Sequence, residues 1–227
     1  MQGKLIVFEG VEGCGKSTQL RVLHQGLLGS PLFLELKRQG LVSHILTSRE
    51  PGGTALGLKL RQLLLTSSEG VRVGDRAELL LYAADRAQHV AEVIKPTLAE
   101  GGWVLCDRFI DSTVAYQGYG RGLDLDLIQQ LNQVATGGLT PDLTLWLQLE
   151  AAQGLARARQ RGQTDRLEQA DLGFHQRVQG GFEALAQQHP HRICPIAGAD
   201  PPATVAAAVF TVVTQHLQQW YKPYLPS

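Results

Sequence analysis

Residues 10 to 17 read Gly10-Val11-Glu12-Gly13-Cys14-Gly15-Lys16-Ser17, directly after the apolar run Leu5-Ile6-Val7-Phe8. Glycines at these positions let backbone N–H groups turn inward around phosphate oxygens, and a helix starting at the end of the loop adds the positive end of its dipole. Lys16 is then placed to reach β- and γ-phosphates, and the Ser17 hydroxyl to ligate Mg²⁺. A strand before the loop and a helix after it complete the context that a phosphate loop requires.

Working outward, apolar runs bounded by turn residues recur at 4–9, 43–48, 103–107 and 142–149, with amphipathic stretches between them. That alternation predicts parallel strands joined by helices, an α/β fold. A helix is expected over 15–28, interrupted by Gly29-Ser30-Pro31 before a second short helix over 32–38. The longest helical candidate is 74–100, where Leu79, Leu80, Tyr82, Ala83, Ala87, Val90, Ile94 and Leu98 recur mostly every three or four residues and Pro96 is placed to kink the end. Segment 151–189 reads as two helices broken near Gly162-Gln163-Thr164, and 202–219 as a terminal helix.

The length of 227 residues suits a single domain, 1–227. Lys plus Arg and Asp plus Glu each number 21, so no overall basic field exists to hold nucleic acid or an anionic membrane, and the ligand is expected to be small. Cys14, Cys106 and Cys194 lack metal-like spacing and read as reduced thiols. No stretch resembles a signal h-region or a membrane span, so a soluble cytoplasmic protein is expected.

The one asparagine, Asn132, is followed by Gln133, which leaves no Asn-Lys-x-Asp motif for reading guanine. A small-molecule kinase is the economical reading. Asp107 and Arg108 follow the third apolar run, at the strand end where ligands gather in open α/β sheets. The acid suits the Mg²⁺ shell and the guanidinium offers a fork to phosphate. Arg49-Glu50-Pro51-Gly52-Gly53-Thr54 forms another strand-end loop, fit either to bind a second phosphate or to serve as a turn with Thr54 capping a helix.

Together, Phe8 to Gly13, Arg49 to Thr54, Asp107-Arg108 and Tyr116-Gln117-Gly118 resemble the thymidylate kinase family, in the family's order, over about residues 3 to 170. The resemblance implies a nucleoside-monophosphate-kinase fold, with a parallel β-sheet flanked by helices and a short lid at about 150–168. It also implies ATP as phosphoryl donor, dTMP as acceptor, dTDP as product, Mg²⁺ as cofactor and a homodimer. By position, Arg49 and Arg108 match residues that grip the acceptor phosphate. Tyr82 matches the aromatic on which thymine stacks, and Arg86 the residue that bonds a thymine carbonyl; their spacing of four puts both on one helical face. Thr113, Tyr116 and Gln117 fall where the family reads the base edge and deoxyribose.

Glu12, an acid inside the phosphate loop, matches a residue directed at the acceptor's sugar 3′-hydroxyl. No arginine stands in the loop, so the resemblance places the transition-state cation in the lid, Arg157-Ala158-Arg159-Gln160-Arg161-Gly162-Gln163-Thr164-Asp165-Arg166, with Arg161 the best match and Arg159 or Arg166 the alternatives. The expected catalytic set is Lys16, Asp107, Arg108, Arg159 and Arg161. The expected ATP site is Gly10 to Ser17 with Thr18, and the metal ligands are Ser17 and Asp107. No general base is required, because an acceptor phosphate oxygen is already anionic at neutral pH. Two alternatives stay open: another nucleoside or nucleotide kinase, and an ATP-binding regulator without turnover.

Overall fold

The computed structural model describes residues 2–66, 73–160, 162 and 166–225. Five parallel strands form one sheet: β1 Lys4–Glu9, β2 Ile45–Arg49, β3 Trp103–Asp107, β4 Leu143–Gln148 and β5 Ile193–Ala197, in the order β2-β3-β1-β4-β5. The phosphate loop therefore leaves the central strand. Leu5, Ile6, Val7 and Phe8 are fully buried because β1 is covered on both faces, as parallel strands require. Their side chains alternate: Leu5 and Val7 join Val90, Ile94, Leu98 and Phe109 on one face, while Ile6 and Phe8 join the larger core on the other.

The helices are α1 Lys16–Leu28, α2 Pro31–Arg38, α3 Ala55–Leu65, α4 Asp75–His89, α5 Lys95–Ala99, α6 Ile110–Thr113, α7 Leu125–Thr136, α8 Ala151–Gln160, α9 Leu172–Gln188 and α10 Pro202–Trp220. Thr54 caps α3 by accepting from Gly57 N, as the turn chemistry predicts, and Ser30 caps α2 by accepting from Phe33 N. Among the described residues, no helix is long and apolar enough to cross a membrane.

The helix expected over 74–100 forms with a change of winding. A π-turn, Val90–Ile94, joins α4 to α5, two residues before Pro96, whose missing N–H relieves the helix of one bond there. A second π-turn, Val114–Gly120, continues α6 and carries Tyr116 and Gln117. Strand β5 was not expected from the sequence. It is a short edge strand paired only with β4, so Pro195 is tolerated where an interior strand would need its N–H.

Candidate active site

The carboxyl ends of β1, β2 and β3 lie side by side in the sheet, with Phe8 opposite Asp107 and Arg49 opposite Asp107 in register. One cavity opens at this edge, lined by Glu12, Gly13 and Gly15 to Thr18, by Arg49 to Pro51, and by Asp107 and Arg108. Tyr82 and Arg86 reach it from α4, and Ser112, Thr113, Tyr116 and Gln117 from α6 and the π-turn after it. Four segments far apart in sequence thus meet where an open α/β sheet is expected to bind its ligand.

Gly10, Gly13 and Gly15 all have positive φ. The curl they permit wraps the loop around the Lys16 ammonium, which donates to the Gly10 and Val11 carbonyls at 3.0 Å each. Ser17 Oγ donates to Asp107 Oδ2 at 2.6 Å, which brings together the two oxygens expected to ligate metal. One comes from the first turn of α1 and the other from the end of β3. Hard oxygen donors with few carboxylates suit Mg²⁺, which takes its remaining ligands from water and substrate phosphates.

The loop also has a close neighbour that sequence reading missed. A Cβ on Gly13 would lie 2.1 Å from Gly154 O, and one on Gly154 would lie 2.3 Å from Glu12 O. Helix α8 therefore rests on the loop backbone to backbone. Gly154→Ala is expected to push the two apart, lowering stability by about 1–3 kcal/mol and raising the KM for ATP. Thermal unfolding and ATP titration of the variant check this.

Glu12 is buried and ion-paired with Arg108, and the Lys16 ammonium lies 3.9 Å from it. Burial works against its charge, yet Arg108 and Lys16 together hold the carboxyl below its ordinary value. An acid beside polyphosphate is thereby neutralised and turned toward the Arg108 side of the cavity. Arg108 itself has φ 74, a strained value for a residue with a Cβ. It also donates to Ser112 Oγ at 3.1 Å, and its guanidinium stacks over Tyr116 at 4.8 Å. Glu9 supports the arrangement from below, accepting from Phe109 N, Ser112 N and Ser112 Oγ at 2.8, 3.1 and 2.6 Å. Burial, with Asp111 nearby, raises the Glu9 carboxyl to about 7.

Tyr82 and Arg86 do share the cavity-facing side of α4. Arg86 is held on several sides: Nε donates to Glu50 Oε2 at 2.8 Å, Nη1 to Thr113 Oγ1 at 2.8 Å and Asn132 Oδ1 at 3.0 Å, and Nη2 to Phe109 O at 2.9 Å. Among the described residues, four of the five N–H groups of the guanidinium are thereby used and one on Nη2 is left for a further acceptor. Glu50 also meets His89 Nδ1 at 2.9 Å, so the Arg49 to Thr54 loop sends a buried acid inward while Arg49 stays exposed at the rim. Gln117 donates to Glu78 Oε1 at 2.8 Å.

Of the lid arginines, Arg161 lies outside the described residues, as do Gln163, Thr164 and Asp165. Arg159 is exposed on α8. Arg157 donates to the Gly198 and Ala199 carbonyls at 3.0 and 3.2 Å, tying α8 to the turn after β5. Arg166 is fastened too, donating to Leu64 O at 2.9 Å and pairing with Glu78. This holds it to the wall of the site. Glu9, Glu50, Glu78 and Ser112 are among the site residues that sequence reading did not single out, as are Arg61, Leu65, Leu167 and Glu168 of the cavity lining.

A phosphate loop on the central strand, an Asp-Arg pair on the next strand and a facing nucleoside-sized cavity define a P-loop kinase of the nucleoside-monophosphate type. The thymidylate kinase family model matches residues 8–209. Thymidylate kinases of Cyanothece sp. and Nostoc sp. are 56% and 49% identical to the chain. The first match covers 97% of both chains, the second 97% of this chain and 100% of the other. The crystal structure of thymidylate kinase from Ehrlichia chaffeensis matches with a TM-score of 0.73 at 33% identity, covering 94% of this chain and all of that one. The chain belongs to the thymidylate kinase family.

Proposed function

We propose that this chain transfers the γ-phosphoryl group of ATP to dTMP, releasing dTDP and ADP. The observation that carries the reading is the junction of two anion-binding devices. The phosphate loop and the Arg108 fork meet at Glu12, beside a cavity walled by Tyr82 and Arg86. Family membership supports the same acceptor.

In this reading the loop amides and Lys16 hold the β- and γ-phosphates of ATP. Arg108, with Arg49 at the rim, holds the acceptor phosphate in line. An oxygen of that phosphate forms a bond to the γ-phosphorus as the bond to the β–γ bridging oxygen breaks, and ADP leaves. Catalysis is positioning and charge neutralisation. Ser17 and Asp107 would hold Mg²⁺, which when bound neutralises phosphate charge. Tyr82 offers its ring to the base, the spare Arg86 N–H a donor to a base carbonyl, and Glu12 an acceptor to the sugar hydroxyl. The chain acts as one domain, 1–227, with 150–168 as the lid. Exposed Leu56, Leu63 and Leu80 on the adjacent helices α3 and α4 support a homodimer; the place of action in this reading is the cytoplasm.

An uncharged nucleoside would leave the Arg108 fork without a counterpart, which argues against a nucleoside kinase. A non-catalytic ATP binder would have no use for the acceptor cavity. The test is ATP-dependent ADP release measured across all nucleoside monophosphates. The expected result is that dTMP is the best acceptor; a higher kcat/KM for another acceptor, or no turnover with any, contradicts the proposal.

A further inference from the structure

Glu78 is fully buried on α4, faces the acceptor cavity's second layer and has no part in the chemistry above. Three side chains from two segments converge on it. Gln117 Nε2 donates to Oε1 at 2.8 Å from the π-turn, Arg121 Nη2 to Oε2 at 3.3 Å from the end of that turn, and Arg166 pairs with Oε2 from the chain before α9. The residues directly after Arg166, Leu167 and Glu168, line the cavity, as does Gln117.

The geometry points to Glu78 as the positioning residue that sets acceptor specificity, by fixing which end of the Gln117 amide is offered to the base. This inference rests on reading the cavity as a dTMP site. Burial disfavours charge on Glu78, but donation from Gln117 and Arg166 and the charge of Arg121 outweigh it and keep the carboxyl below its ordinary value. An ionised carboxylate only accepts hydrogen bonds, so Gln117 must turn its NH₂ toward Glu78. Its Oε1, which accepts no bond within the described protein, is then a fixed acceptor. A fixed acceptor selects a base that presents a ring N–H, as thymine does at N3, and rejects one that presents a bare ring nitrogen, as cytosine does. A neutral glutamine at 78 would accept or donate, and the Gln117 amide would be free to flip.

The test compares kcat/KM for dTMP and dCMP in the wild type, Glu78→Gln, Gln117→Leu and the double variant. The expected result is a fall of about tenfold in the dTMP preference for Glu78→Gln, the worth of one hydrogen bond. The fall should arise mainly from a higher KM for dTMP, with the KM for ATP unchanged. Gln117→Leu leaves the carboxylate with both arginines; it should lose the same preference, and the double variant should lose no more than either single one. An unchanged preference in either single variant, or additive losses in the double, overturns the proposal. Should Glu78→Gln fail to fold, Gln117→Leu alone decides by the same ratio. Wild-type failure with dTMP strikes the activity assignment instead, and shows before any variant is made.

Discussion

Lys16→Met is expected to lower kcat on the order of 10³-fold, the scale of losing one preorganised donor to a developing charge. The Lys16 side chain is 8% exposed, with its ammonium head against the Gly10 and Val11 carbonyls. Methionine fills the stem's volume and removes the charge together with the two bonds to the Gly10 and Val11 carbonyls. The backbone amides and the dipole of α1 remain, so ATP binding should weaken far less than turnover. Single-turnover rates at saturating ATP and dTMP, with ATP affinity measured separately, check the split. A kcat within tenfold of the wild type would remove Lys16 from the transferring phosphoryl group.

Arg108→Ala should show two separable losses. The first is in kcat/KM for dTMP, on the order of 10²- to 10³-fold, because loss of the bidentate Arg108 fork leaves only Arg49 at the rim to hold the acceptor phosphate. The second is in stability, by roughly 2 kcal/mol, since breaking a buried ion pair leaves Glu12 charged and underpaired, with Lys16 at 3.9 Å compensating in part. Adding Glu12→Ala to Arg108→Ala should recover stability without recovering activity. Chemical denaturation and dTMP-titrated kinetics on the single and double variants test both halves. Recovery of activity in the double variant would mean that Arg108 serves the loop's structure and not the acceptor.

The parts of this site that the sequence disclosed are those where chemistry is written locally. The phosphate loop declares itself because its glycines, Lys16 and Ser17 act within eight consecutive residues. Asp107-Arg108 follows a strand directly, and the spacing of Tyr82 and Arg86 is helical. Thr54 caps its helix through a bond three residues long. The second layer is written in partners too distant to read: Glu50 meets Arg86 at a separation of 36 residues, Glu78 meets Gln117 at 39 and Arg166 at 88, and Glu9 meets Ser112 at 103. A buried acid looks like any surface acid until the fold supplies its donors.

The same distinction governs the fold. Strands β1, β3 and β4 carry apolar runs long enough to announce burial on both faces, whereas β2 is an edge strand whose residues are half-buried or exposed. Strand β5 is five residues with a proline at its centre, and edge pairing alone rescues it. The two π-turns change the winding, not the pattern of apolar residues, so Val90–Ile94 and Val114–Gly120 have no compositional mark beyond Pro96 after the first. Gly154 likewise looks like an ordinary weak point of a helix, and its role against the phosphate loop becomes visible only when α8 is seated.

The most direct measurement is a crystal structure with dTMP and a non-hydrolysable ATP analogue bound together. The expected result places the acceptor phosphate on Arg108, the γ-phosphate beside Lys16, and an acceptor oxygen about 3–3.5 Å from the γ-phosphorus in line with the leaving oxygen. Nucleotides that occupy the phosphate loop and the Tyr82–Arg86 cavity with their phosphates pointing apart would contradict a single divided site for phosphoryl transfer.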